Sequence, residues 1–275
     1  MSCKLNVILD IDETFVYFIN KKYRANSWDK LSESERSKYK FIDSSGHILI
    51  LRPNIDKFFD YLFKNCTVSV WTWSDEDYAQ NIVDKVVLKD RPYEKLRLIL
   101  SDNDAAQSGE IHGWSKDLNY LWYGEKTEEC FAECNTILID DLSNNTIHPS
   151  NKKNSITIAP FALFGEIKDR SHPYTDVSGD TTLLEVISVL EKAKGLATGC
   201  YEDDDRRWVN IFSPENIKKA GLQKYVRTIQ YSPYKKAVGP PVQAIGVGES
   251  YLFVTKAGRR TKRHLHRKRR RTLKH

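Results

Sequence analysis

The stretch that decides the fold is LNVILDIDETFVYF, residues 5–18. Residues 5–9 are a short apolar run and read as a buried strand. The run stops at Asp10, and Asp12, Glu13 and Thr14 follow at once. A strand leading into an acidic turn is the plain reading. A strand that aims two acids at a ligand is the sharper one, and the rest of the chain decides between them.

The same pattern returns downstream. TVSVWT (67–72) alternates and is β-branched, and Ser74 follows it; NTILID (135–140) ends on acids again, Asp140 and Asp141. LRLIL (96–100) and SITIA (155–159) are further strand candidates, and ILIL (48–51) is a strand-like run stopped by Pro53. Between them lie helical patterns. Asn54 is placed to cap a helix whose face carries Ile55, Phe58, Phe59, Leu62 and Phe63. Ser74 and Asp77 resemble a capping box, with Tyr78, Ile82, Val83 and Val86 on the inner face beyond. A last helix starts at Thr182 and Glu185, with Gly195 placed to close it. Strands alternating with helices from 5 to about 195 predict an α/β fold, a parallel sheet with helices on both faces. Residues 20–46, rich in charge and serine, read as a surface insertion, with Tyr23, Trp28 and Tyr39 packing it to the body.

Composition bounds the rest. The chain has 275 residues, 40% of them hydrophobic, enough for a sizeable core. No run of roughly 18 apolar residues occurs, so no membrane span is expected. The start of the sequence has no secretory-signal pattern, and the cysteines (3, 66, 130, 134 and 200) are few, odd in number and scattered. All five are expected to be reduced thiols of an intracellular protein, nuclear or cytoplasmic, without a zinc site. The net charge of +6 comes from residues 259–275, which hold 10 Lys or Arg and no acid. Without them, 33 basic residues face 37 acidic ones. That tail has three readings: phosphate contacts to nucleic acid, an import-receptor signal, or a disordered extension. The domain reading is 1–197 as the α/β body with the insertion at 20–46, 198–258 as a C-terminal extension, and 259–275 as the disordered basic tail. Asp203, Asp204 and Asp205 read as a solvated loop.

Ligands of open parallel sheets bind at the carboxyl ends of strands. If the three strands ending at Asp10, Thr72 and Asp140 are neighbours, four carboxylates and a hydroxyl converge. Such a cluster repels itself unless a hard cation such as Mg²⁺ sits in it, and Lys116, in WSKDL, adds a counter-charge. This chemistry suits phosphoryl transfer: a carboxylate nucleophile, a second acid to move protons, and a hydroxyl and ammonium for the transferred oxygens.

Five segments in order resemble the haloacid dehalogenase (HAD) superfamily, and within it the NLI-interacting-factor-like branch, which includes phosphatases of the RNA polymerase II C-terminal domain. They are ILDIDETFV (8–16), LRPNIDKFFDYL (51–62), VWTWSDEDYAQNIVDKV (70–86), SKDLNYL (115–121) and TILIDDLSNNTIHPSNKKNSITIAPF (136–161). The resemblance implies an HAD-like, Rossmann-type parallel sheet, and the short segment from the VWTWSDEDYAQNIVDKV stretch to Lys116 leaves no room for a large cap domain, which supports a phosphoprotein substrate. It implies Asp10 as the nucleophile and Asp12 as general acid/base, with its main-chain carbonyl on Mg²⁺. Thr72 and Lys116 would bind the phosphoryl group, Thr14 would support the loop, Asp141 would ligate the metal, and Asp140 would orient Lys116. Arg52 would brace the fold. Trp73 departs from the small residue usual there. Two rivals stand beside this reading: a phosphatase of nucleic-acid ends recruited by the tail, which tail deletion would expose, and a non-catalytic phosphoprotein adaptor, whose mark would be loss of Asp10 or Asp12.

Overall fold

A computed structural model describes residues 4–124, 130–164, 174–197, 200 and 209–222. In chain order the elements are β1 (Leu5–Leu9), β2 (Val16–Ile19), α1 (Lys21–Arg24), α2 (Glu33–Arg36), β3 (Phe41–Ser44), β4 (His47–Leu51), α3 (Ile55–Asn65) and β5 (Cys66–Trp71). They continue as α4 (Glu76–Ile82), β6 (Ile99–Leu100), α5 (Asp102–His112), α6 (Asn119–Trp122), β7 (Thr136–Asp140), α7 (Ser143–Thr146), β8 (Ser155–Thr157), α8 (Thr182–Ala197) and α9 (Pro214–Lys219).

The main sheet is parallel, in the order β6-β5-β1-β7-β8. Successive side chains of β1 point to opposite faces. Val7 and Leu9 enter a core that includes Phe58, Phe59 and Leu62 of α3, Ile82 of α4, and Leu183, Val186 and Leu190 of α8. Ile8 enters the other, with Trp71, Leu100, Tyr120, Leu121 and Leu138. A strand buried on both faces is mostly apolar, and residues 5–9 read clearly for that reason; the one polar residue, Asn6, is buried with its amide donating to Cys130 O and to Asn135 Oδ1. Each of the phenylalanines and leucines so buried contributes about 1.5–3 kcal/mol. From β1 the chain builds outward to β5 and β6, then returns across β1 to β7 and β8. The reversal opens a crevice at the carboxyl ends of β1 and β7.

The strand-like run at 48–51 is not in this sheet. It is β4, the centre of a small antiparallel sheet, β2-β4-β3. Leu49 and Leu51 face the main core, while Ile48 and Ile50 face Trp28, Tyr39, Phe161 and Leu163. β4 is buried on both sides, as a central parallel strand is, whereas β3 alternates between exposed and half-buried and carries no such signal. Trp28 and Tyr39 are buried, as the insertion reading predicts, and Tyr23 is half-exposed.

Of three expected caps, one is in place and two fall elsewhere. Asn54 stands at the N-cap of α3, but with a left-handed backbone, and its side chain donates to the Asp180 carbonyl at 3.3 Å instead of capping the helix. Asp75, not Ser74, caps α4 by accepting from the Tyr78 N–H at 2.8 Å. Gly195 lies inside α8, which runs on to Ala197. The thiol expectation is also corrected. Cys134 and Cys200 form a disulfide with Cα atoms 5.9 Å apart, and Cys130 is disulfide-bonded too, leaving Cys66 as the free thiol among the described residues. A separation of 66 residues hid that pairing from sequence spacing.

Beyond α8, Ile211, Phe212 and Leu222 are buried in the main core, and the Phe212 N–H donates to the Lys153 carbonyl at 2.8 Å. Ser213 caps α9. Residues 223–258 and the basic tail lie outside the described residues. Among the described residues, no helix is long and apolar enough to cross a membrane.

Tyr39 ties the insertion to the body. Its hydroxyl accepts from the Val177 N–H at 3.0 Å, lies 2.9 Å from the Tyr174 hydroxyl and contacts Asp176 at 3.1 Å. Replacing Tyr39 with Phe leaves the Val177 N–H without that acceptor, and a loss of about 1–3 kcal/mol is expected. Urea unfolding checks this as a lower midpoint at unchanged slope.

Candidate active site

The crevice where the strand order reverses is where the expected residues meet. Leu9 of β1 is in register with Val70 of β5 and Ile139 of β7, so the residues that follow these strands emerge side by side. The Asp10 N–H donates to Ile139 O at 2.9 Å, and the Thr72 N–H to Leu100 O at 3.0 Å. The condition left open by the sequence, that these strands be neighbours, is met.

Lys116 reaches the same point from a loop. It is wholly buried, donates to Asp10, and donates to Asp140 Oδ2 at 2.9 Å. Its backbone is left-handed, φ 59°, an arrangement a lysine keeps only where neighbours enforce it. Asn151 does so. Its buried amide donates to Lys116 O at 2.7 Å and to Asn145 O at 2.8 Å, and its Oδ1 accepts from the Leu118 N–H at 3.0 Å. Asn145 in turn donates to Asp140 Oδ2 at 2.9 Å. The lysine loop and the loop after β7 are thus one hydrogen-bonded unit.

Thr14 is buried between two acids, its hydroxyl 3.3 Å from Asp10 Oδ2 and 3.4 Å from Asp141 Oδ1. Thr72 Oγ1 accepts from the Ser74 N–H at 3.1 Å. Asp12 does not join the Lys116 ion pairs. Its Oδ1 accepts from Tyr78 Oη at 2.5 Å and its Oδ2 from Ser74 Oγ at 3.1 Å. Trp73 is half-buried beside them. Arg52, 1% exposed, donates to the carbonyls of Thr14 and Ala159, both at 2.8 Å, and pairs with Asp180 at 2.8 Å. His148 stacks on Trp114 at 4.9 Å, and its Nδ1 lies 2.6 Å from Ser150 Oγ. The acids at 203–205 lie outside the described residues.

The electrostatics are unbalanced. Ligand oxygens of Asp10, Asp140 and Asp141 all lie within 4.8 Å of one another, with the single Lys116 ammonium among them. Burial first, then the Asp140 and Asp12 charges, push Asp10 up to about 7, against the pull of Lys116. Burial, together with the charges of Asp10 and Asp140, raises Asp141 well above the usual carboxylate range. Burial would strip Lys116 of its proton, but Asp10 and Asp140 outweigh it and hold the ammonium charged. A pocket that crowds carboxylates beyond its own counter-charge fits an oxygen-loving divalent cation.

Tyr78, Asn145 and Asn151 are the site residues that sequence reasoning passed over. Tyr78 was visible only as part of an apolar helix face, although a tyrosine turned inward needs a partner for its hydroxyl, and that is the signal it carried. Asn145 sits in the one-turn helix α7 and Asn151 in the turn beyond it, and neither the short bond to Asp140 nor the reach to Lys116 over 35 residues leaves a periodic trace.

Residues 5–200 match the family model of the NLI interacting factor-like phosphatases. A CTD phosphatase-like protein of Invertebrate iridescent virus 6 is 32% identical over 165 residues, 57% of this chain and 85% of the viral protein. Its counterpart in Invertebrate iridescent virus 3 is 28% identical over 193 residues, 68% of this chain and 96% of that protein. Among solved structures, the fission yeast RNA polymerase II CTD phosphatase Fcp1 bound to beryllium fluoride overlays at a TM-score of 0.41 and 14% identity, covering 83% of this chain. This chain spans 64% of that one's length, and so loose an overlay carries no weight.

Proposed function

We propose that this chain, which belongs to the NLI interacting factor-like phosphatase family, is a Mg²⁺-dependent protein-serine/threonine phosphatase that works through a phospho-Asp10 intermediate. The observation that carries the reading is Lys116, buried and bonded at once to Asp10 and Asp140 in the crevice at the carboxyl ends of β1 and β7. A buried ammonium beside a carboxylate is the arrangement needed to receive a phosphoryl dianion next to its nucleophile.

Each residue then has a task. An Asp10 oxygen attacks phosphorus as the ester P–O bond breaks, and Asp12 gives its proton to the departing oxygen. Asp12, now a carboxylate, takes a proton from water, whose oxygen attacks the same phosphorus and frees Asp10 and inorganic phosphate. Lys116 and Thr72 hold the transferred oxygens throughout. Asp140 and Asn145 keep Lys116 aimed, and Thr14 spaces Asp10 from Asp141. Asp10 and Asp141, with the Asp12 main-chain carbonyl, would hold Mg²⁺, which would neutralise the phosphoryl oxygens so that a carboxylate can approach.

Among the described residues no large cap domain is inserted in the α/β body, which supports a macromolecular substrate, a phosphoserine or phosphothreonine side chain. The two viral relatives carry CTD phosphatase-like names, which point the same way. The test is phosphate release from phosphoserine and phosphothreonine peptides with Mg²⁺ and with EDTA. Release that EDTA stops supports the reading; peptides left intact by a protein that cleaves only small aryl esters would refute the substrate class.

Metal binding has its own readout. Mg²⁺ at about 100 times its Kd is expected to add about 2.7 kcal/mol to stability, seen as a rise in Tm that Asp141→Asn largely removes. A Tm indifferent to Mg²⁺ would count against the cation site, whatever the activity.

A further inference from the structure

Two hydroxyls fix the carboxylate of Asp12, one on each oxygen: Tyr78 Oη at 2.5 Å and Ser74 Oγ at 3.1 Å. One donor would leave the group free to pivot about that bond. Two donors on different oxygens set its torsion, while each oxygen keeps a second lone-pair direction for a proton or a substrate atom. Asp12 is thereby held apart from the Lys116 pairs that take up Asp10 and Asp140.

Neither donor is free to drift. Ser74 is 5% exposed, and its N–H is tied to Thr72 at 3.1 Å. Tyr78 stands in the first turn of α4, its N–H capped by Asp75 at 2.8 Å. Its ring meets Phe18 edge-on, centroids 5.6 Å apart, and Phe18 stacks on His47 at 5.1 Å. Phe18 belongs to β2 and His47 to β4, so the phenol is wedged between α4 and the small antiparallel sheet. The small antiparallel sheet thus reaches Asp12 through three rings.

We propose that Tyr78 is a positioning residue for proton transfer: its hydroxyl holds the Asp12 carboxyl in the one torsion that faces the leaving oxygen, and the Phe18–His47 stack holds Tyr78. This rests on the phosphatase reading above. A misplaced acid costs most where the leaving oxygen is basic and needs the proton. It costs least where the leaving group departs readily as an anion.

The test uses two esters of similar size, phenyl phosphate and p-nitrophenyl phosphate, whose leaving groups differ in basicity. The readout is kcat/KM, which reports formation of phospho-Asp10, together with the inhibition constant of inorganic phosphate. Tyr78→Phe is expected to cut kcat/KM for phenyl phosphate by about ten-fold or more and for the nitrophenyl ester only a few-fold, with phosphate inhibition unchanged. Ser74→Ala is expected to shift the two esters in the same unequal sense. Equal losses on both esters, or no loss on either, would overturn the proposal and leave Tyr78 as packing. A wild type that cleaves neither ester nor a phosphopeptide would sink the phosphatase reading itself, an outcome distinct from either of those.

Discussion

Asp10→Asn is expected to abolish phosphate release, by on the order of 10⁴-fold or more, while leaving the protein folded. An amide has no oxygen basic enough to attack phosphorus and form the intermediate. The fold should not suffer. Asp10 is one of three carboxylates crowded around one ammonium, and removing its charge relieves repulsion while Lys116 keeps Asp140 at 2.9 Å. Without Mg²⁺ the variant's Tm is expected to be no lower than that of wild type, and its Tm gain from Mg²⁺ smaller. Trapping after an acid quench makes the assignment specific: label from a ³²P-phosphopeptide should appear on the wild-type protein, be released by hydroxylamine, and be missing from the variant. A variant that still turns over at a tenth of the wild-type rate would show that another group attacks phosphorus.

The sequence made this site legible where its parts are local. A strand buried on both faces is mostly apolar, so Leu5–Leu9 and Thr136–Asp140 announced themselves, and the acids at their ends, Asp10 and Asp140, stood out as charges at buried positions. Lys116 was legible only by its place in an ordered set of segments, since nothing local separates it from a surface lysine. What stayed hidden was of two kinds. β4 is buried on both faces without lying in the main sheet, and burial alone does not say which sheet a strand joins. The Asn151 clamp and the Cys134–Cys200 disulfide are set by contacts over 35 and 66 residues, and such contacts leave no periodicity. Tyr78 falls between the two kinds: its helix face was read, but the need of its hydroxyl for a partner was not.

The second large effect is expected on stability, from Arg52→Met. Arg52 is among the largest fully buried side chains, and its guanidinium joins three parts of the chain. It donates to Thr14 O in the loop after β1, to Ala159 O beyond β8, and to Asp180, whose Oδ1 accepts from Thr182 N at 2.6 Å at the start of α8. Methionine fills much of the volume against Phe161 but leaves two carbonyls without their donor and the Asp180 carboxylate, 14% exposed, without its cation. Breaking a buried pair from one side costs about 3–5 kcal/mol, enough to remove much of the stability of an ordinary domain. Urea unfolding should show this as a large drop in midpoint. Lysine at the same position should recover only part of it, because one ammonium cannot span the three acceptors. The pH dependence has a definite sign. Burial pushes the Asp180 carboxyl up, but Arg52 and Thr182 more than offset it and hold it below the usual value. The unfolded chain therefore takes up that proton first as pH falls. The pair's contribution is complete above the ordinary carboxylate range and fades as pH drops through the lowered folded value, so the gap between wild type and Arg52→Met should narrow in acid. The same variant separates a brace from a phosphate ligand. Arg52 is shut off from solvent and bonds the carbonyl of Thr14, two residues past Asp12, so the fraction still folded should lose kcat through the displaced loop while KM for a phosphate ester stays nearly constant. A rise in KM with stability untouched would instead place Arg52 on the substrate.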